Sequence, residues 1–191
     1  MATQRYLNHQ RGFVVWFTGL SAAGKTTVAS HLEPELELRG LVVDHLDGDV
    51  VRTHLSRGLG FSKADRDTNI ARIGWVSARL ARAGAAVIVS AISPYEDARR
   101  YARALVEQYA SFVEVYVATS LEECARRDPK GLYAAAFSGE IVNFTGVSAP
   151  YEEPSSPDLR IDTEWVTPEE SAALVLARLE ELDLVPAVVR L

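Results

Sequence analysis

Gly19-Leu20-Ser21-Ala22-Ala23-Gly24-Lys25-Thr26-Thr27 is the stretch on which the reading of this chain turns. It fits G-x-x-x-x-G-K-[ST], a loop whose backbone N–H groups wrap the phosphates of a nucleotide. A pattern this short needs its flanks. Before it runs Gly12-Phe13-Val14-Val15-Trp16-Phe17-Thr18, an apolar, β-prone run of the kind that forms a buried parallel strand. After it, Val28, Ala29, Leu32 and Leu36 recur at helical spacing until Gly40, a helix stop. Strand, glycine loop and helix together supply the context that the motif requires. The N-terminus of such a helix favours a bound anion through its free N–H groups and its macrodipole. Lys25 is expected to reach the β- and γ-phosphates of a nucleoside triphosphate from a solvent-accessible site, with the Thr26 hydroxyl on Mg²⁺. Ala22 and Ala23 are small enough to let phosphate approach.

Working outward, the 191 residues fit one α/β domain, 1–191, long enough to bury a full core. A net charge of −6 argues against nucleic acid or an anionic membrane as the main partner, so any cationic site has to be local. The one cysteine, Cys124, excludes an internal disulfide and a multi-cysteine metal site, and reads as a small residue in a helix. Met1 to Arg11 lacks the apolar centre of a signal peptide, and no stretch approaches the roughly 20 apolar residues of a membrane span. A cytoplasmic location is the expectation.

Strand and helix patterns alternate along the chain, which predicts a parallel sheet covered on both faces. Leu41 to Leu46 reads as a second strand running into Asp47-Gly48-Asp49. A short helix through Arg52 and Leu55 precedes the loop Arg57-Gly58-Leu59-Gly60-Phe61, and Ser62 can cap a long helix carrying Ile70, Ile73, Val76 and Leu80. Ala85 to Ala91 is a third strand, Phe112 to Ala118 a fourth, and Asp158 to Asp162 a weaker fifth. Between the last two, residues 121–157 show little helix or strand periodicity but carry Tyr133, Phe137, Phe144 and Tyr151, so they read as an ordered lid. Thr167-Pro168-Glu169-Glu170 opens a final helix.

Ligands of parallel α/β sheets collect beyond the carboxyl ends of the strands. Three such ends are polar here: the glycine loop, Asp47 with Asp49, and Ser90 with Ser93. The third strand offers no aspartate, so the Asp47/Asp49 pair is the best source of a carboxylate near Mg²⁺ or near an attacking hydroxyl, although Asp-Gly-Asp is also ordinary turn chemistry. Arg52, Arg66 and Arg72 lie on segments expected to border the same crevice, and an arginine fork suits phosphate and sulfate. For Arg72 a solvated surface position is an equal reading. Phe61 lies in a glycine-rich loop with no evident core to join, and such a ring can stack on a base, as can Phe144 in the lid.

Taken together and in order, several blocks resemble one known family. They are the glycine loop, Leu46-Asp47-Gly48-Asp49-Val50-Val51-Arg52, Leu59-Gly60-Phe61-Ser62 with Asp65-Arg66 and Asn69-Ile70, and Ile92-Ser93-Pro94-Tyr95. Arg127-Asp128-Pro129-Lys130-Gly131-Leu132-Tyr133 and Gly139-Glu140-Ile141 with Asn143-Phe144-Thr145-Gly146 complete the set. The chain looks like an adenylylsulfate (APS) kinase from Gly12 to Thr163. The resemblance implies a P-loop NTPase fold, with a mainly parallel five-stranded sheet, helices on both faces and a lid. It implies phosphoryl transfer from ATP, with Mg²⁺, to the 3′-hydroxyl of APS, and is compatible with a homodimer. It places Gly19, Ser21, Ala22, Ala23, Gly24, Lys25, Thr26, Thr27, Arg127 and Thr163 with ATP. Arg52, Arg66, Asn69, Ile92, Ser93 and Lys130 fall with APS, between Phe61 and Phe144 as a clamp on its adenine. Asp49 falls near the 3′-hydroxyl and Asp47 nearer the metal. Lys130 approaches the transferring region, and Ser93 is a substrate contact or a helix cap, the serine at that position being a phosphorylated intermediate in some family members. Trp165 and Val166 depart from the family pattern near the expected ATP adenine.

Two rivals remain open from sequence. Another small-molecule kinase, acting on gluconate or shikimate, would give no reason for two rings placed to stack on a base. A non-catalytic sensor that binds APS or its phosphorylated product and regulates a partner would be expected to lose Lys25 or Thr26, and both are present.

Overall fold

The computed structural model describes residues 12–186. Five strands form one parallel sheet: β1 (Phe13–Thr18), β2 (Val43–Asp47), β3 (Ala86–Ser90), β4 (Ser111–Val117) and β5 (Leu159–Ile161), in the spatial order β2-β3-β1-β4-β5. Phe13 pairs with Ala86 on one side and Ser111 on the other, which puts β1 at the centre of the sheet. Its sequence explains that place: every residue from Phe13 to Thr18 is fully buried, as a strand covered on both faces requires.

Alternate β1 side chains face opposite layers. Phe13, Val15 and Phe17 join Val28, Leu32 and Leu36 of α1 (Lys25–Leu38) and Val175 and Leu179 of α7 (Pro168–Glu181). Val14 and Trp16 join Ile70 and Ile73 of α3 (Lys63–Arg82) and Ala102 and Val106 of α4 (Glu96–Glu107). The α3–α4 contact is unusually close at Gly74, where an added Cβ would lie 2.9 Å from both Cα and Cβ of Ala102. The short α2 (Gly48–His54) follows β2 directly.

Helix starts follow the expected chemistry. Ser62 accepts from the Asp65 N–H, and Thr167 forms a reciprocal capping box with Glu170 behind Pro168. Asp47 caps α2 rather than forming a free turn.

The stretch 121–157 differs from its reading. It begins with two helices, α5 (Leu121–Arg127) and α6 (Leu132–Phe137), each too short to display a period. Ser120 caps α5, and the Asp128 carboxylate accepts the N–H groups of Tyr133 and Ala134 in α6. Only the part after Phe137 is irregular, and it returns to the sheet through Tyr151 and Glu152.

Candidate active site

The strand order reverses at β1: the chain passes from β1 over β3 to β2, and later from β3 over β1 to β4. A crevice therefore opens beyond the carboxyl ends of β1 and β3. It is a cavity of about 720 Å³, lined by the glycine loop, Asp47, Asp49, Arg52, Phe61, Arg66, Asn69, Ile92, Ser93, Arg127, Lys130 and Phe144, among others.

At one end the glycine loop leads into the first turn of α1. Gly19 and Gly24 hold φ of 148° and 102°, and Ala22 also sits in the left-handed region at 59°. Size was the expected constraint at Ala22, but the backbone imposes a second one, because an alanine there is strained where glycine would not be. Ser93 and Asp128, which also line the cavity, are further non-glycine residues at positive φ, as are Asn143 and Asp183 outside its lining.

Lys25 is buried, contrary to the exposed position expected from the motif, and its Nζ donates to the carbonyls of Gly19 (2.9 Å) and Leu20 (2.6 Å). Burial lowers its pKa from 10.5 to about 8 against the raising effect of Asp47 and Asp49. Thr26 donates its hydroxyl proton to Asp47 Oδ2 at 2.7 Å, while Asp47 Oδ1 accepts the Asp49 N–H at 2.9 Å. Burial pushes the Asp47 carboxyl up, but these bonds outweigh it and leave the group below its usual range. A hydroxyl and a carboxylate oxygen thus converge beside the phosphate loop. This all-oxygen pair fits Mg²⁺, which takes one or two protein ligands and leaves its other positions to phosphate and water.

At the other end, Asp49 pairs with Lys130, which comes from the α5–α6 connection. The Arg52 guanidinium lies 4.3 Å from the centroid of the Phe61 ring and donates to the Gly60 carbonyl at 3.3 Å. Phe61 is 58% exposed, so its ring belongs to no core. Arg66, buried, bonds the Phe61 carbonyl through Nε (2.9 Å), Thr145 Oγ1 through Nη1 (2.5 Å) and the Asn143 carbonyl through Nη2. It therefore fastens the far part of the lid to the Phe61 loop. Asn69 is buried with its Oδ1 unpartnered, and it lines the cavity. Phe144 is half-buried rather than exposed: it packs edge-on against Tyr133 at 5.0 Å, and the Tyr133 hydroxyl donates to the Ser21 carbonyl at 2.9 Å. The ring from the lid is thus held by a residue tied to the glycine loop.

Arg127 donates to Thr163 Oγ1 and to the Thr163 carbonyl, both at 2.8 Å, and Thr163 Oγ1 in turn donates to the Ala23 carbonyl at 2.8 Å. These two residues therefore border the glycine loop from the β5 side.

The structure decides two positions that the sequence leaves open. Arg72 bonds the Leu55 carbonyl on the surface and does not line the crevice. Ser93 is no helix cap, since Tyr95 holds that place in α4, and its own hydroxyl is buried, accepting the Trp16 indole N–H at 3.1 Å. A buried indole N–H needs such a partner, and Ser93 lines the cavity as the substrate-contact reading expects. Trp165 is 78% exposed. What sequence reading missed is Arg99, a buried guanidinium behind Ser93. In the run Arg99-Arg100, one turn before Arg103, it looks like part of a solvated face, and its burial gives no signal in the pattern.

A glycine loop on the central strand, opening at a strand-order switch beside a hydroxyl–carboxylate pair, is the architecture of a phosphate-loop phosphotransferase. The adenylylsulphate kinase family model matches residues 11–162, and the chain belongs to that family. An adenylyl-sulfate kinase of Halothermothrix orenii is 52% identical over 92% of this chain and 93% of its own length. A probable bifunctional SAT/APS kinase of Sorangium cellulosum is 56% identical over 92% of this chain, which spans 30% of that longer protein. The structure of the Mycobacterium tuberculosis APS kinase CysC in complex with AMPPNP and APS superposes with a TM-score of 0.86. It is 46% identical in sequence, over 89% of this chain and 98% of the other. Among the described residues, no helix is long and apolar enough to cross a membrane.

Proposed function

We propose that this chain transfers the γ-phosphoryl group of ATP to the 3′-hydroxyl of APS, with the phosphates at the glycine loop and the acceptor between Phe61 and Phe144. The observation that carries the acceptor assignment is that both rings line one cavity with the glycine loop, although they lie on segments more than eighty residues apart. Gluconate or shikimate would offer them no aromatic face. Arg52 and Arg66 supply positive charge to the sulfate and phosphate of APS, and Asn69, which lines the same cavity, serves its ribose. Asp49 orients or deprotonates the 3′-hydroxyl, and Lys130 and Lys25 stabilise charge on the transferring group. Arg127 and Thr163 border the ATP base. Thr26 and Asp47 are the residues that would hold Mg²⁺, which neutralises charge on the β- and γ-phosphates when bound. Direct in-line transfer needs no covalent step at Ser93.

Phe61→Ala tests the acceptor assignment. Losing one stacked face is worth about 1–3 kcal/mol, so the KM for APS should rise roughly ten- to a hundredfold while that for ATP stays nearly unchanged. The exposure of Phe61 predicts an almost unaltered melting temperature. Phe144→Ala should raise the same KM but also lower stability, because its ring packs on Tyr133. Equal changes in the two KM values for Phe61→Ala would refute the clamp.

ATP affinity should depend on pH through Lys25. The phosphates need the ammonium form, and its pKa of about 8 leaves only about a tenth of it charged at pH 9. Binding at pH 9 should therefore be weaker by roughly a factor of ten than at neutral pH, with uptake of one proton. Without nucleotide the sign reverses: the unfolded chain holds more protons between pH 8 and 10.5, so this residue makes the fold more stable as pH rises through that window. Calorimetry in two buffers of different ionisation enthalpy checks the coupling, and absence of proton uptake at pH 9 would contradict it.

A further inference from the structure

Ile92, Ser93 and Pro94 form one wall of the cavity, and that wall is an irregular turn with Ser93 at φ 42°. A turn in this strained conformation persists only where its surroundings fix it. Here the surroundings are specific. Arg99, 2% exposed, donates through Nη1 to the Ser93 carbonyl (2.8 Å), through Nη2 to the Glu152 carbonyl (2.8 Å) and through Nε to Glu114 Oε1 (2.9 Å). Glu152 completes the tie from the other side. Its N–H donates to the Pro94 carbonyl at 2.8 Å, and its carboxylate accepts the Glu96 N–H at 2.8 Å, where α4 has no cap of its own. Next to it, Tyr151 bonds Thr18 Oγ1 at 2.9 Å. The single proton of Thr18 goes to the Ile92 carbonyl at 2.7 Å, so Tyr151 is the donor.

Together these bonds tie the turn, the start of α4 and the end of β1 to the segment by which the lid returns to the sheet, and Glu114 anchors Arg99 to β4. None of the three side chains is among the residues lining the cavity. We propose that Arg99, acting with the Tyr151–Glu152 strap, is a positioning residue for the acceptor: it sets the Ile92–Pro94 wall against which APS lies and fixes that wall and the lid in one mutual position. The three N–H directions of one planar guanidinium define the spacing of three partners at once, which an ammonium cannot do. Small displacements of a binding wall are felt as lost substrate affinity and lost alignment.

This role rests on the acceptor placement proposed above, and the test separates the two. Arg99→Lys keeps a charge for Glu114 but loses the fork, and Glu152→Ala removes the α4 cap while leaving the backbone bonds. KM for APS, KM for ATP, kcat and melting temperature are measured for both, with Phe61→Ala in parallel. The expected result is an APS KM raised about tenfold in Arg99→Lys and about threefold in Glu152→Ala, with the ATP KM within about twofold of the parent. If Arg99→Lys does not fold, the exposed Glu152→Ala decides alone. A purely structural Arg99 would lower the melting temperature and move both KM values together or neither, which overturns the proposal. If Phe61→Ala raises the APS KM while neither variant does, the positioning role fails and the acceptor site stands. If Phe61→Ala leaves it unchanged, the placement fails and this role falls with it.

Discussion

Lys25→Ala is expected to lower kcat by 10² to 10³, or about 3–4 kcal/mol of transition-state stabilisation, in a protein that still folds. The first part follows from charge: phosphoryl transfer leaves little for a protein to do beyond positioning and neutralisation, and Lys25 is the one cation inside the glycine loop. The second part has a different basis from the one the motif suggests. Lys25 does not point into solvent; it is buried, and its depressed pKa shows that its charge is held there against desolvation. Removing a buried charge relieves that opposition, while the Gly19 and Leu20 carbonyls lose a donor. The two effects oppose each other, so melting should shift little. Stopped assays of ADP formation beside a thermal melt check both halves. Turnover within tenfold of the parent in a folded variant would reject the phosphate-loop assignment.

Asp49→Asn is expected to cut kcat by about 10² to 10⁴ and leave the KM for APS within a few-fold, because the amide keeps the shape but not the charge that orients or takes the hydroxyl proton. The surroundings make this a clean substitution. Asp49 and Lys130 are 73% and 60% exposed, and such a surface pair contributes little to stability. Loss of the ion pair does not by itself single out the carboxylate, because Lys130→Ala breaks the same pair and also removes a charge placed near the transferring group, so the split between kcat and KM carries the test. If Asp49→Asn turns over normally and only binds APS more weakly, the carboxylate has no role in the proton transfer.

The sheet and the phosphate loop were legible because their signals are local. Phe13 to Thr18 announces a buried strand in consecutive residues, and Ser62 and Thr167 announce helix starts within four. The strand ends came within a residue or two, since apolar runs extend past the last paired position, as at Leu41 and Val42 before β2. The helices α5 and α6 were hidden by their length: seven and six residues hold too few turns for a period to emerge. Within the site, residue types that bear charge or rings declared themselves, whereas their use did not. Arg66 reads as an anion ligand, yet its guanidinium donates to three protein oxygens, because Thr145 and Asn143 reach it from almost eighty positions away. Arg99 and Tyr151 were illegible for the same reason; the Tyr151 bond to Thr18 spans 133 positions. Ser93 misled in the opposite direction, since a serine before a proline suggests a cap, and only the placement of Trp16 shows what its oxygen does.

The near contact of Gly74 with Ala102 bears on the reach of the site. Arg66 and Asn69 stand at the first turns of α3, and the Ile92–Pro94 wall leads directly into α4. The two helices thus form a pair of arms packed side by side and tightest at a pivot made from one missing side chain, with cavity-lining groups at or beside their starts. A methyl group at the pivot would have no free volume to enter and would spread the arms, so a change far from any substrate would be read out as a shift in the gap between Asn69 and Pro94. Surface positions along either arm have no such leverage. Along α3 and α4 an added side chain is therefore expected to be least tolerated at this close contact, although Gly74 and Ala102 do not line the cavity.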